Sequence, residues 1–205
     1  MPGRNIYKDY VADSFYHVYN RGTDRQIIFR DDLDYRFFLY LIKRYLGEEA
    51  ALNSVGIAYP SYRGSAELLA YCLMPRHFHL LLYQHDRKGM MNLLKSLSVA
   101  YGMYFNKRYS RIGPVFQQRY RASRITDESY LLHISRYIHL NPDDYKKWTW
   151  SSLPYYVGEL TADWLKPDRI LELFEGEDYS RFVDDYKDRR DDLEIIKHEL
   201  ADQLA

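Results

Sequence analysis

Residues 70–82 read AYCLMPRHFHLLL, two apolar runs separated by a proline and an arginine. Leu68 to Met74 is almost wholly apolar, as a central strand buried on both faces would be. Pro75-Arg76 is short enough for a tight hairpin turn, so we expect His77 to Tyr83 to form a second strand paired with the first. This hairpin predicts that the chain is built around an antiparallel sheet.

The elements on either side of this hairpin alternate between strands and helices. Phe15 to Tyr19 is β-prone and ends at the turn signal Asn20-Arg21-Gly22. Asp31 to Leu46 has helical spacing of apolar residues, and Gly47 predicts its end. The later elements are a helix carrying Met90, Leu93, Leu94, Leu97, Tyr101 and Tyr104, a loop from Arg108 to Pro114, a strand or ribbon from Val115 to Ile125, and a helix capped by Thr126 that runs to about Leu140.

The order of these elements predicts an α+β fold. Strand, helix, strand, strand, helix, strand matches the split βαβ, ferredoxin-like arrangement, which is an antiparallel sheet with helices on one face. The other face of such a sheet would be open for a ligand. Beyond Trp150 the chain becomes more charged, with helical patterns at Pro167–Phe174 and Tyr179–Leu204. We therefore expect one domain at residues 1–148 and a C-terminal helical extension at residues 149–205.

The composition is that of a folded protein. The chain has 205 residues, of which 46% are hydrophobic and 17% aromatic, including 22 tyrosines. No apolar run approaches the roughly 20 residues of a membrane span, and the first residues lack the apolar stretch of a signal peptide. Cys72 is the single cysteine, which excludes an intrachain disulfide. These features favour a reduced, cytoplasmic setting with no membrane partner.

The distribution of charge points to a polyanionic partner, although the formal net charge is +0. Residues from Glu172 to the end carry 12 acidic and 5 basic side chains, so the rest of the chain has a balance of +7. The stretch from Tyr104 to Arg124 contains no acid and interleaves basic with aromatic residues. Arginine holds phosphate and aromatic rings stack on bases, so this mixture suits single-stranded nucleic acid. An amphipathic helix with an aromatic core face is the better explanation of Tyr101 and Tyr104. It explains Arg119-Tyr120-Arg121 less well, because these residues follow a Gly-Pro break and have no acidic residues nearby.

His77-Phe78-His79 is the sharpest local motif. Alternate residues of a strand point to the same face, so both imidazoles can reach one ion while Phe78 turns into the core. Imidazole suits several divalent metals, so the pair does not select one of them. A His-x-His pair alone is weak evidence, because histidines often lie half-buried on a sheet.

A second candidate cluster is His133, Tyr137 and Asn141, spaced by four residues along the last helix of the domain. If the helix persists, the three side chains lie on one stripe, where Tyr137 could present its phenol and Asn141 its amide oxygen. On periodicity alone the favoured interpretation is that Tyr137 is a core aromatic, one of 22 tyrosines, and that Asn141 is a helix cap before Pro142.

Four segments together resemble the single-tyrosine HUH transposases of small insertion sequences, especially their REP-associated relatives. The segments are YHVYNRGTDRQIIF, AYCLMPRHFHLLL, YFNKRYSRIGPVFQQRYRASRI and YLLHISRYIHLNP, and Trp150 to Ser152 follows them. They occur in the family's order and cover roughly residues 14 to 155. The family's fold is the same split βαβ arrangement that the element order predicts.

This resemblance implies a role for each matching residue. His77 and His79 match the metal ligands, Asn141 matches the third ligand and Tyr137 matches the nucleophile. The implied cofactor is a divalent metal, Mg²⁺ or Mn²⁺. The implied reaction cleaves and rejoins single-stranded DNA beside a hairpin through a 5′-phosphotyrosine intermediate. His133 has no counterpart and is not assigned a role.

The basic, aromatic stretch supplies the candidates for DNA contact. We expect Arg108, Arg119 and Arg121 to contact phosphates and Tyr120 to stack on a base. Two other functions stay open: a domesticated DNA-binding protein that keeps the scaffold without catalysis, and an RNA-binding module of the same fold class. The sequence also leaves open whether two subunits form a homodimer that exchanges tyrosine helices or whether one chain suffices.

Overall fold

The computed structural model describes residues 10–174 and 178–185. Its elements follow in chain order, together with two short 3₁₀ turns at Thr23–Arg25 and Glu172–Phe174: β1 Ser14–Arg21, α1 Asp32–Leu46, β2 Ala66–Met74, β3 His77–Gln84, α2 Gly89–Arg108, β4 Arg121–Ile125, α3 Glu128–His139, α4 Leu153–Tyr156, α5 Asp168–Leu171 and α6 Tyr179–Asp184.

The four strands form one sheet in the order β2-β3-β1-β4. Every neighbouring pair is antiparallel, and the register of β2 with β3 places Met74 opposite His77. Pro75 and Arg76 therefore make the tight turn that the sequence predicted. The α+β, ferredoxin-like fold class is confirmed.

The first helix shows how local sequence sets its own bounds. The side chain of Asp31 accepts hydrogen bonds from the backbone nitrogens of Leu33 and Asp34, which satisfies two donors that the helix leaves unpaired. At the other end, the Gly47 nitrogen donates to the carbonyl of Lys43. A Cβ at Gly47 would lie 2.6 Å from that carbonyl oxygen, so glycine is required there by close approach.

Helices α1 and α2 pack together on one face of the sheet. Phe78, Leu80 and Leu82 alternate along β3 and are buried in the core beneath the two helices. The rings of Phe38 from α1 and Tyr101 from α2 meet at 5.1 Å between centroids. This layer is the main hydrophobic core, and it packs one face of the sheet against two long helices.

The second face of the sheet is covered, contrary to the expectation of an open face. Leu69, Cys72 and Leu81 from the sheet form a second core with Ile134 and Ile138 of α3. The helix capped after β4 returns across the sheet because its apolar stripe has to be buried. Any ligand site on this face must therefore lie beside α3 rather than on a bare sheet.

The apolar strand β2 is an edge strand of the sheet, whereas its sequence is typical of a central one. Its outer edge is covered by the chain that follows α3: the Leu73 nitrogen donates to the carbonyl of Trp150, and the Ser152 nitrogen donates to the carbonyl of Tyr71. These bonds satisfy backbone groups that an edge strand would leave exposed. Because residues 150–152 cover its outer edge, β2 can carry apolar side chains on both faces although it is an edge strand.

Two local predictions are corrected at β4 and α3. Val115–Ile125 is not one continuous strand, because β4 begins only at Arg121, while the Thr23 nitrogen donates to the Val115 carbonyl beyond the end of β1. The cap of α3 is Asp127 rather than Thr126, and its carboxylate accepts from the Tyr130 nitrogen at 2.8 Å.

The C-terminal part of the described chain is short helices rather than long ones. Pro167–Phe174 forms α5 and a 3₁₀ turn, and α6 ends at Asp184, so most of the helix expected at Tyr179–Leu204 lies outside the described residues. Within residues 10–174 and 178–185, no helix is long and apolar enough to cross a membrane. The division at residue 149 stays a prediction.

A buried carboxylate ties α1 to α2. Asp34 has no exposed surface, and it accepts hydrogen bonds from Arg108, Tyr104, Tyr109 and the backbone nitrogen of Arg30. Its charge is therefore compensated by a guanidinium and by three further donors, which a buried carboxylate requires.

Replacing Asp34 with alanine should leave these donors unpaired at a buried position and lower the free energy of unfolding by about 3 kcal/mol. Asp32→Ala is the matched control, because Asp32 is an exposed carboxylate in the first turn of the same helix. Its loss should cost less than about 1 kcal/mol. Urea denaturation measures both, and equal midpoints for the two variants would contradict a stabilising role of the Asp34 network.

Candidate active site

The histidine pair lies on the sheet face that α3 covers. In the register of β1 with β3, His79 is opposite Tyr19 and His77 is opposite Arg21. Phe78, between the two histidines, is buried in the core under α1 and α2. The alternation of a strand therefore directs both imidazoles toward α3, as the motif predicted.

His77 contacts Asn141, which lies two residues beyond the end of α3. Its Nε2 lies 3.1 Å from Oδ1 of Asn141. Burial lowers the pKa of His77 and the nearby charge of Arg21 lowers it further, while the bond to Asn141 acts in the opposite direction. A neutral imidazole with a lone pair is the form that burial favours here, and this is the form that binds metals.

Tyr137 of α3 lies edge-on against the histidines. Its ring centroid is 5.5 Å from that of His79 and 5.9 Å from that of His17, with the planes nearly perpendicular in both cases. The residue is 6% exposed, so most of its ring is covered by the second core. Tyr137, Asn141 and the histidine pair are thus brought together within one chain.

His17 belongs to this cluster, and sequence reasoning missed it. Its Nε2 is 2.9 Å from Nδ1 of His79, and the two rings are stacked at 5.1 Å. Complete burial lowers the pKa of His17 to about 3, so the ring is neutral at physiological pH. The signal was available, because His17 and Tyr19 alternate along β1 as His77 and His79 do along β3.

A buried polar network holds α3 in place beside the site. His139 contacts the Tyr179 hydroxyl through Nδ1 at 2.8 Å and the Ser152 hydroxyl through Nε2 at 2.7 Å. Ser152 also accepts from the Tyr71 nitrogen of β2 at 2.8 Å. Both ring nitrogens of His139 are therefore satisfied by partners outside α3, and burial lowers its pKa to about 3.

His133 does not share the site with Tyr137. Its Nδ1 is 2.6 Å from the Arg136 guanidinium, and its ring lies 6.3 Å from that of Phe182 in α6. The stripe expected from the four-residue spacing therefore splits, with His133 turned toward the C-terminal segment and Tyr137 toward the sheet.

The four candidates for DNA contact lie in different environments. Arg108 is bound to Asp31 and Asp34, and the Tyr120 ring is buried, with its hydroxyl accepting from that of Tyr10 at 3.1 Å. Arg119 is exposed. Arg121 lies across from Tyr19 on the same face as the histidines, and its guanidinium donates to the Tyr19 hydroxyl at 3.2 Å.

The donors at this site fit a divalent ion. His77 Nε2 and Asn141 Oδ1 already converge, and the Nδ1 of His79 is used by His17, so Nε2 of His79 would be its ligand atom. Imidazole nitrogens suit transition metals and an amide oxygen suits Mg²⁺ and Mn²⁺, so this mixed set of donors fits a divalent ion without selecting one. In the described part of the chain no group of three or more His, Cys, Asp or Glu side chains could hold a metal, so the amide of Asn141 is needed as the third donor.

The sequence model of IS200-like transposases matches residues 11–141, which span every residue of this cluster. The chain belongs to the IS200-like transposase family. The family resemblance carried by the four segments is therefore confirmed, and the match covers the sheet, α1, α2 and α3.

Two solved structures are similar to this chain, and the first of them shares its fold. A REP-associated tyrosine transposase bound to a REP hairpin is 16% identical with a TM-score of 0.51, and the match covers 78% of this chain and 90% of that one. A transposase-like protein of Deinococcus radiodurans is 16% identical with a TM-score of 0.41, over 66% of this chain and 95% of that one. No curated protein sequence matches the chain.

The network at His139 predicts unequal effects for the two adjacent serines. Ser152→Ala removes the partner of His139 and of the Tyr71 nitrogen, so the free energy of unfolding should fall by about 1–3 kcal/mol. Ser151 is equally buried, but its hydroxyl accepts a single long bond of 3.4 Å, and Ser151→Ala should cost less than about 1 kcal/mol. Urea unfolding of the two variants checks this, and a larger loss for Ser151→Ala would refute the network's role.

Proposed function

We propose that the chain cleaves and rejoins single-stranded DNA with Tyr137 as nucleophile and a divalent metal held by His77, His79 and Asn141. The observation that carries the proposal is their convergence: the Tyr137 ring lies 5.5 Å from the His79 ring, and Asn141 Oδ1 lies 3.1 Å from His77 Nε2. The sequence match to IS200-like transposases supports the same reaction class.

The chemistry exchanges one phosphoester bond for another. The Tyr137 oxygen, having lost its proton, attacks the scissile phosphorus, and the bond from phosphorus to the 3′ oxygen of the preceding nucleotide breaks. The departing oxygen takes up a proton, which leaves a free 3′-hydroxyl and a 5′-phosphotyrosine. Because the covalent link conserves a phosphodiester, a 3′-hydroxyl can later attack it and rejoin DNA without a nucleoside triphosphate.

The remaining residues orient the reacting groups. When bound, Mg²⁺ or Mn²⁺ would stabilise negative charge on the oxygens of the scissile phosphate. His17 occupies Nδ1 of His79 and so fixes the rotation of that ring, the kind of outer contact that orients metal ligands. The His139 network holds the end of α3, from which Tyr137 and Asn141 reach the sheet.

The DNA partner is proposed to be a single strand with a hairpin beside the cleavage site. Arg119 and Arg121 remain candidates for phosphate contact, since one is exposed and the other lies beside the histidines. Arg108 and Tyr120 are left out, because each is occupied by partners within the protein. A relative of the same fold is bound to a REP hairpin, which supports a hairpin as a ligand of this chain.

Tyr137→Phe should abolish strand cleavage and the covalent protein–DNA adduct, because the attacking oxygen is removed while the ring and its packing remain. DNA affinity should be unchanged. Adducts with labelled, hairpin-bearing single strands are measured by denaturing electrophoresis. Tyr130→Phe, in the first turn of the same helix, is the control and should form adduct normally. Undiminished adduct in Tyr137→Phe would refute the assignment.

The proposed ligands should be needed for metal binding as well as for cleavage. Alanine at His77, His79 or Asn141 should weaken Mn²⁺ binding at least about tenfold, measured by calorimetry or Mn²⁺ resonance, and His133→Ala should leave it unchanged. EDTA should stop nicking, and Mn²⁺ or Mg²⁺ should restore it. Unchanged Mn²⁺ affinity in all three ligand variants would refute the metal site, and hairpin binding with no nicking would identify a non-catalytic DNA-binding protein.

A further inference from the structure

A small polar pocket opens beside the histidine pair, where β1 ends. It has a volume of about 80 Å³. Its lining comes from the end of β1, the loop before β4 and the first residue of β4: Tyr19, Asn20, Arg21, Gln117, Gln118 and Arg121.

The pocket is held by backbone and side-chain bonds from both sides. The Asn20 side chain donates to the carbonyl of Gln118 at 3.0 Å and accepts from the Arg21 nitrogen at 2.9 Å. The Gln117 nitrogen donates to the Arg21 carbonyl at 2.9 Å, and the Gln117 side chain accepts from Nε of Arg21. The Gln117 amide thereby holds the Arg21 guanidinium by Nε, and the two terminal nitrogens of the same planar group are further donors.

Two guanidiniums give this pocket a positive charge. None of its lining residues is acidic, and no described carboxylate lies within ion-pair distance of Arg21 or Arg121. Arg121 is positioned by the Tyr19 hydroxyl at 3.2 Å. Two uncompensated arginines that converge on one polar cavity indicate an anionic ligand.

The pocket also adjoins the candidate active site directly. Arg21 lies opposite His77 in the register, and Tyr19 lies opposite His79 on one side and Arg121 on the other. Cross-strand neighbours have Cβ atoms about 4.5–5.5 Å apart.

We propose that this pocket binds the backbone phosphate adjacent to the scissile one, with Arg21 and Arg121 as its ligands and Gln117 as the residue that positions Arg21. The inference rests on the proposed function for the location of the scissile phosphate. The small volume favours one phosphate over a whole nucleoside, since pockets that enclose complete ligands are about 300–1,000 Å³. Such a contact sets the register of the strand without reading its sequence.

Equilibrium binding in EDTA tests this site separately from cleavage. The probes are single strands of about 12 nucleotides, oligo-dT, oligo-dA and oligo-dC, with binding measured over a range of salt concentration. Arg21→Ala should weaken binding to all three strands by a similar factor and flatten the slope of log affinity against log salt by about 0.7, the value for one lost phosphate contact. Arg21→Ala with Arg121→Ala should weaken binding further, but it should flatten the slope by no more than about 0.7 in total, because the pocket holds a single phosphate.

Two further variants sharpen the result. Gln117→Ala should weaken binding less than Arg21→Ala, because the guanidinium remains but is no longer oriented. Arg181→Ala removes an arginine of α6 whose side chain is 83% exposed, and it should change neither affinity nor slope.

The pocket proposal is overturned by either of two outcomes. An unchanged salt slope in Arg21→Ala would mean that no phosphate is bound there, and a loss confined to one of the three strands would mean that the pocket reads a base. Normal phosphate binding in a chain that never forms an adduct would refute the proposed function and leave this site standing.

Discussion

The placement of α3 across the second sheet face is the constraint on which the candidate site depends. Tyr137 and Asn141 can reach the histidine pair only if the end of this helix is held at one position over the sheet and at one rotation about its own axis. Tyr137 and His139 are two positions apart, a rotation of about 200° around the helix axis, so their side chains point to nearly opposite sides of α3. His139 can therefore bind Ser152 and Tyr179 on one side while Tyr137 lies against the sheet on the other.

The sheet contributes an equally strict condition through its register. Pairing of β1 with β3 places His79 beside Tyr19 and lets His17 reach its Nδ1. A slip of one residue would turn the histidines into the core and Phe78 toward α3, because side chains alternate along a strand. The burial of Phe78, Leu80 and Leu82 under α1 and α2 thus stabilises the orientation of the polar face. The alternation of side chains along β3 therefore builds the main core on one face of the sheet and the candidate site on the other.

The part of this arrangement that the sequence predicts is the part encoded locally. The helix from Asp31, the turn at Pro75 and the alternation around Phe78 depend on residues near one another, and all three are as expected. The environments of Arg108 and Tyr120 depend on distant partners. Asp34 lies 74 residues before Arg108, and Tyr10 lies 110 residues before Tyr120. The sequence between Tyr104 and Arg124 contains no acid, so it gave no sign of these distant partners.

The same limit applied within the candidate site. His17 is 62 residues from His79, and no spacing rule links them until the strand order is known. The family resemblance supplied Tyr137 and Asn141, whose positions beside the histidines are now described, although their catalytic roles stay predictions. The four-residue spacing alone would have included His133, which faces α6. Periodicity assigned the helix correctly but could not say which of its polar residues faces the sheet.

The buried network also bears on whether two chains must exchange their tyrosine helices. Tyr137 and Asn141 approach the histidines of their own chain, so the candidate site is complete without a partner. The His139 network and the bonds of residues 150–152 to β2 are likewise formed within one chain. A symmetric exchange of α3 would rebuild the same contacts between two chains, because each sheet would receive an identical helix. The two arrangements therefore share one set of site contacts and differ in the path of the chain between β4 and α3.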